Sequence, residues 1–319
     1  MRDIRIAAVQ FEHRNGDKAY NLQRIRELSQ QAVAQGAEII SFHECCIPAY
    51  TFVQSFSKEE LIDLAEPVPN GPSTQELMQI SQEVGVPILA GLFEVDQGEV
   101  YNTYICVDGT ELLARFRKLH AFVNSNLSSG DEYVVFDVRG CRCGILICYD
   151  NNLVENVRMT ALLGADIIFM PHVTCCLPSV MPGRGLVDPQ LWHNRDRDPV
   201  RLRQEFQGPK GKGWLMRWLP ARAYDNGVYA IFTNPVGMDD QEVKPGLSMI
   251  LDPFGEIIAE CTKLGDDIAV ALCTEEKLSQ AGGRRYIRAR RTELYGKLVE
   301  PSDTPPVTQP GWELKPSAK

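Results

Sequence analysis

No apolar run in this chain of 319 residues approaches the ~20 residues that a membrane span requires. The opening stretch, MRDIRIAAVQF, has charges that interrupt any signal-peptide core. No C-x-x-C pair occurs, and Cys141-x-Cys143 lacks a second pair at zinc spacing, so no metal site is expected. Basic residues are in the minority: 33 Lys and Arg stand against 42 Asp and Glu, a net charge of −9, which argues against a nucleic-acid partner held through phosphates. Internal repeats and low-complexity tracts are also missing, and 44% hydrophobic with 24% charged residues is the composition of an ordinary globular chain. Cysteine, by contrast, is plentiful. Most of the ten lie inside apolar runs such as YICV and GILICYD, where a free thiol packs as a small hydrophobe. The setting expected from this is cytoplasmic and reducing.

Apolar periodicity alternates between short strands and longer helices. IRIAAVQF and AEIISF read as strands around a helix over 19–35, and STQELMQISQEV as a helix with a serine cap. Three strands follow in VPILAGLFEV, VYNTYICV and ELLARFR, then a pair around Arg139-Gly140. Further on the pattern predicts a helix near 154–164, the strand ADIIFM, a helix near 214–225, the strand VYAIFTN, a hairpin around Asp252 to Gly255, the strand DIAVALC and a helix near 284–296. The fold class is therefore α/β, with two mixed sheets flanked by helices. Residues 1–300 read as a single domain, with a proline-rich tail over 301–319. One stretch, 177–213, breaks the alternation and reads as a long basic insertion. Nine basic residues stand against four acidic ones between 184 and 222, a local charge of +5.

Three reactive or charged residues end apolar strands, where open α/β folds place their ligand sites: Glu44, Lys118 and Cys148. Each alone reads most simply as a surface or core residue. Together they form a chemical unit. A cysteine attacks as thiolate and needs a base. Glu44 can take the thiol proton and return it to a leaving amine. Lys118, with the backbone N–H of Tyr149, can stabilise a tetrahedral oxyanion.

On these residues the sequence resembles the nitrilase superfamily of carbon-nitrogen hydrolases. The similarity runs through IRIAAVQF, ISFHECCIPAY, ARFRKLH, GILICYDNNLVENVR, GADIIFMPH, LPARAYDNGVYAIFTNPVG and SMILDPFGEIIAE. Glu44, Lys118 and Cys148 occupy the family's three motif positions, 74 and 30 residues apart. The resemblance implies a four-layer α-β-β-α sandwich, a homodimer or larger homo-oligomer, and a Glu-Lys-Cys triad working without cofactor or metal. A thioester on the cysteine would form from an amide, N-carbamoyl or nitrile carbon of a small molecule and be hydrolysed. Cys-Tyr-Asp looks like the amidase and carbamoylase branches, whereas true nitrilases commonly show Cys-Trp-Glu.

The sequence departs from the family at one point. Many members carry a second glutamate about eight residues before the Gly-Asp of the loop after the lysine; here that position is Val123, beside Asn124. Glu132 is the nearest carboxylate, and both Asn124 and Glu132 are candidates to contact substrate. His172, Thr174 and Cys175, after the strand ADIIFM, are candidate pocket-lining residues or core. His120 reads as an aid to Lys118 or a peripheral residue, Asp150 as a cap or substrate contact, and Glu155 with Arg158 as a structural i,i+3 pair. The basic stretch reads as a self-neutralised salt-bridge network or a subunit interface, with carboxylate binding as the rival. The helix carrying Arg284, Arg285, Arg288, Arg290 and Arg291 reads as a solvated or intersubunit face. An amide or N-carbamoyl hydrolase is the leading functional expectation; a nitrilase, an acyltransferase and a non-catalytic relative are the alternatives.

Overall fold

The expected strands assemble into two large sheets in a computed structural model that describes residues 1–301. β1 (Ile4–Gln10), β2 (Ile39–Ser41), β3 (Ile88–Asp96), β4 (Glu99–Asp108), β5 (Glu111–Arg117) and the short β6 (Leu127–Ser128) build most of the first sheet. β7 (Val135–Val138), β8 (Cys141–Ile145), β9 (Ile167–Pro171) and β10 (Tyr229–Thr233) belong to the second. β11 (Val236–Asp239) and β12 (Glu242–Pro245) form a separate hairpin, β13 (Met249–Leu251) and β14 (Ile257–Glu260) complete the second sheet, and β15 (Asp267–Cys273) returns to the first. The strand orders are β15-β1-β2-β3-β4-β5, with β6 on β4, and β14-β13-β10-β9-β8-β7. Parallel pairing is confined to β1-β2-β3, β8-β9-β10 and β4-β6; the other pairs are antiparallel.

β1 shows why the layers stack as they do. Ile4, Ile6 and Ala8 face the second sheet in a core with Tyr104, Phe116, Ile145, Phe169 and Ile231. The alternate residues Ala7 and Val9 pack under α1 (Lys18–Ala34), through Leu22, Ile25 and Leu28, and with Leu77 and Ile80 from a later helix. A strand covered on both faces reads as the near-continuous apolar run seen in the sequence. α2 (Lys58–Leu64) follows α1, and α3 (Pro72–Val84) carries Leu77 and Ile80. The second sheet is covered by α4 (Val154–Leu162) together with a helix near 220. This is the αββα sandwich. No helix of the described residues is long and apolar enough to cross a membrane.

Residues 177–213 are not a peripheral loop. They contain α5 (Pro189–His193) and α6 (Pro199–Gln207), started by Asp188-Pro189 and Asp198-Pro199, where the aspartate caps the helix and proline fits its first turn. Trp192, Leu202 and Phe206 join the main core. The helix expected near 214–225 splits into α7 (Lys212–Leu215) and α8 (Leu219–Asn226), because Pro220 can occupy only a first turn. The β11-β12 hairpin and α2 were not foreseen. α9 (Glu275–Gln280) precedes α10 (Gly282–Arg288), which stops well short of the expected residue 296 and gives way to two 3-10 turns. Beyond Pro301, the tail lies outside the described residues.

β3 reaches the turn after β2 through Gly91. Its N–H meets the Cys46 sulfur at 3.4 Å and its carbonyl accepts from Ile47 at 3.1 Å. A methyl group here would overlap the Cys45 nitrogen and lie 3.1 Å from the Glu44 carbonyl carbon. Gly91→Ala is expected to cost about 1–3 kcal/mol by overpacking, read in urea titration, and to lower turnover by displacing Glu44. An unchanged urea midpoint and unchanged rate would show that this approach does not fix the turn.

Candidate active site

The carboxyl ends of β2, β5, β8 and β9 bring Glu44, Lys118, Cys148 and Val173 to one place. Cys148 opens a 3-10 turn, Cys148–Asn152, with φ of +48°. A side chain in this left-handed conformation is held there by its surroundings at a cost of about 1–2 kcal/mol. The turn is pinned from several sides. Asn151 donates to the carbonyls of Leu146 (2.7 Å) and Cys148 (3.3 Å), and Arg222 donates to those of Asn151 (2.8 Å) and Asn152 (2.7 Å). Among ten free cysteines, Cys148 alone is half-buried and the other nine are buried.

Glu44 and Lys118 are both shielded from solvent, with Lys118 Nζ 2.6 Å from Glu44 Oε1. The same oxygen accepts from Asn102 Nδ2 at 2.7 Å, and Oε2 accepts from the backbone N–H of Val173 at 2.9 Å. Lys118 also lies 3.3 Å from the Tyr50 hydroxyl. Burial on its own would lower the Lys118 pKa, but the Glu44 carboxylate outweighs it, so the ammonium is held well above its ordinary value. The Cys148 thiol is pushed up to about 12, first by burial and then by the Glu44 charge, with Lys118 and a contact to the Val173 carbonyl partly offsetting. At rest this site therefore holds a thiol beside a carboxylate.

Asp150 ties two of these strand ends together. It is buried and accepts from the N–H groups of Leu119 (3.2 Å), His120 (3.0 Å) and Ile147 (3.3 Å), while His120 Nδ1 lies 2.8 Å away. The loop after Lys118 is thereby fastened to the turn that carries Cys148. His120 bonds Asp150, whereas the hydrogen-bond partners of Lys118 Nζ are Glu44 and Tyr50.

Cys148 lines a cavity of ≈ 510 Å³ whose walls also include Phe122, Tyr149, Thr174, Trp214 and Trp218. Of the expected lining residues, Tyr149 and Thr174 are there. Thr174 is held by Asn234, through its N–H to Oδ1 at 2.8 Å and its carbonyl to Nδ2 at 3.2 Å. His172 is not part of the wall. It is buried against Phe232 and Trp218, bonds the Met170 carbonyl through Nδ1 at 2.8 Å, and stays neutral because burial lowers its pKa to about 3. Cys175 is buried with its sulfur toward Gly211, away from the cavity.

Asn124 and Glu132 do not replace a second glutamate. Asn124 donates to the carbonyls of Val53 and Phe56, both at 2.8 Å, and accepts from the N–H of Asn126, which consumes its amide in pinning a loop. Glu132 is exposed, beside Asp131, Arg115 and Arg117 on a separate surface recess. Glu155 and Arg158 form no ion pair among the described residues. Asn102, Tyr50 and Trp218 escaped the sequence reading. An asparagine inside the apolar run VYNTYICV was the available signal, since a polar side chain there must find a partner.

A family model described as Carbon-nitrogen hydrolase matches residues 5–282. An (R)-stereoselective amidase of Pseudomonas sp is 30% identical over 305 residues, covering 94% of this chain and 96% of that protein. Omega-amidase NIT2 of Homo sapiens is 29% identical, covering 92% and 98%. An amidase from Nesterenkonia AN1, of the nitrilase superfamily, has the same fold with a TM-score of 0.70 at 20% identity, over 93% of this chain and 97% of that one.

A thiol raised to about 12 leaves almost no thiolate until well above pH 10, whereas an ordinary cysteine ionises near pH 8.5. The thiolate ultraviolet difference between the native protein and Cys148→Ala should stay flat from about pH 6 to about pH 10. A rise centred near 8.5 would show that Lys118 outweighs Glu44 and burial at the sulfur.

Proposed function

The chain belongs to the carbon-nitrogen hydrolase family, and on that basis we propose that it is an amidase in which Cys148 is the nucleophile, Glu44 the general base and acid, and Lys118 the oxyanion partner. The observation that carries this reading is the solvent-shielded Glu44–Lys118 contact at 2.6 Å, beside a cysteine held at a left-handed strand-to-turn elbow. As the sulfur attacks the amide carbon, its proton passes to Glu44 and the C–S bond forms. The carbonyl oxygen becomes an oxyanion facing Lys118 and the Tyr149 N–H, which, at the start of the turn, has no intrahelical acceptor to serve. Collapse breaks the C–N bond while Glu44 protonates the departing ammonia or amine. A water, deprotonated by Glu44, then attacks the thioester carbon; as the C–S bond breaks, Glu44 returns that proton to the Cys148 sulfur and the acid is released.

Residues 1–300 form one catalytic domain in this reading, supported by a core that joins both sheets. The ten free thiols support a cytoplasmic setting. A homo-oligomer is supported by exposed apolar side chains along one flank: Val154 and Met159 on α4, Leu163 just beyond it, Tyr224 on α8 and Tyr286 on α10. A two-fold axis would make that flank self-complementary. Light scattering should give at least a dimer for the native chain and a smaller species for Met159→Glu; a native monomer would refute the assembly.

With a panel of primary amides, N-carbamoyl compounds and nitriles, ammonia release should favour amides. Cys148→Ala should abolish turnover and keep the native unfolding transition. Lys118→Ala and Glu44→Gln should each cost roughly 10³-fold or more in kcat, and each leaves a buried partner unpaired, at a further cost to stability of about 3–5 kcal/mol. Turnover surviving in folded Cys148→Ala would overturn the assignment. Preferred hydrolysis of nitriles, or hydroxamate formed in preference to acid when hydroxylamine is added, would redirect it to a nitrilase or an acyltransferase.

A further inference from the structure

We infer that Arg184 anchors a carboxylate at the far end of the substrate's acyl group, so that the preferred substrates are amides of apolar acids bearing a second, free carboxylate; this rests on the amidase reading above. Among the described residues, the cavity at Cys148 is lined by two cations, Arg184 and Arg222, and by no acidic side chain. They are not equivalent. Arg222 is buried and spent on the carbonyls of Asn151 and Asn152. Arg184 forms no ion pair among the described residues, and its Nε is buried without a hydrogen-bond acceptor.

Its position is nonetheless fixed. The guanidinium lies over the Trp214 ring, 3.8 Å from the centroid, and Trp214 is itself a wall of the cavity. Stacking on a ring face leaves the edge of the guanidinium plane free for a bidentate carboxylate. Three of the four acidic residues of the same segment are occupied elsewhere. Asp188 and Asp198 cap α5 and α6, and Glu205 pairs with Lys210 at 2.7 Å. Arg217 adds to the positive field without neutralising it. The local excess of positive charge noted in the sequence therefore reaches the cavity wall unpaired. Tyr149, Phe122, Leu177, Met181 and Trp218 complete the lining with mostly apolar surface. A ligand that satisfies all of this has an amide at the sulfur, an alkyl or aryl spacer along these walls, and a carboxylate on Arg184.

The test compares the monoamides of succinic, glutaric and adipic acids with uncharged n-alkylamides of equal length, and para-carboxyphenylacetamide with phenylacetamide. In the native protein, kcat/KM should favour the carboxylated member of at least one pair through a lower KM. Arg184→Gln should cut that preference roughly 10- to 100-fold, and Arg184→Lys should restore part of it. If Arg184→Gln lowers both members of every pair equally, or if the native protein prefers the uncharged ones, the inference fails while the amidase reading stands. If no amide is hydrolysed, the amidase reading fails. Calorimetry of glutaric monoamide with Cys148→Ala and with Cys148→Ala/Arg184→Gln then decides the anchor: weaker binding in the double variant supports it, and equal binding or none refutes it. A native unfolding transition in each variant confirms that losing the Trp214 contact has not unfolded the cavity wall.

Discussion

A carboxylate and an ammonium, both shut off from water, impose the strictest condition that this fold has to meet. Taking two ions out of water costs several kcal/mol each, and their mutual attraction offsets that only when every remaining polar site is also satisfied. The chain meets this by spending groups from three other elements on the Glu44–Lys118 pair: an amide from β4 in Asn102, a backbone N–H after β9 at Val173, and a hydroxyl after β2 in Tyr50. Each is positioned by sheet register, so the pair is only as good as the alignment of the strand ends. Gly91 permits the approach that sets the Glu44 turn, and Asp150 links the Lys118 loop to the Cys148 turn. The same burial and the same carboxylate that hold the pair also raise the Cys148 thiol, so it is protonated at rest.

What the sequence discloses about this site follows from which features leave a local trace. A residue at the end of an apolar strand is visible, because a period of two stops there; that made Glu44, Lys118 and Cys148 legible, and most strand positions with them. Contacts made across sheets leave no such trace. Nothing near Val173 in the chain announces that its N–H will reach a glutamate 129 residues away. Proximity in sequence to a strand end is also a poor guide to which way a side chain faces. Thr174 lines the cavity, whereas Cys175, with φ of +67°, turns into the core, and His172 is held by a carbonyl two residues back. Asn124 spends its amide on the loop for a related reason: a short amide in a loop binds nearby carbonyls first.

The segment 177–213 shows how composition misleads when packing is ignored. Its prolines, glycines and arginines resemble a surface loop, yet its Asp-Pro pairs start helices, and Trp192, Leu202 and Phe206 enter the main core. Three of its cations stack on or bond to neutral groups, Arg184 over Trp214 among them, and another pairs outside the segment. Arg195 lies over Trp192, Arg203 donates to the Thr262 carbonyl, and Lys212 pairs with Glu260 outside the segment. A self-neutralised network would need the local aspartates, and helix capping has already claimed two of the three.

The absence of a second glutamate near Lys118 can be weighed in the same terms. Glu44 and Lys118 cancel, the thiol is neutral at rest, and Asp150 is consumed by its own hydrogen bonds. Another carboxylate next to Lys118 would place an uncompensated negative charge close to the sulfur. In a low-dielectric cavity such a charge repels an anion over many ångströms. Tyr50 contacts Lys118 with its hydroxyl, and among the described residues Arg184 and Arg222 are then the only formal charges lining the cavity. Loss of the acidic group and retention of an unpaired guanidinium act in the same direction, making the cavity electrostatically suited to an amide that carries a negative charge.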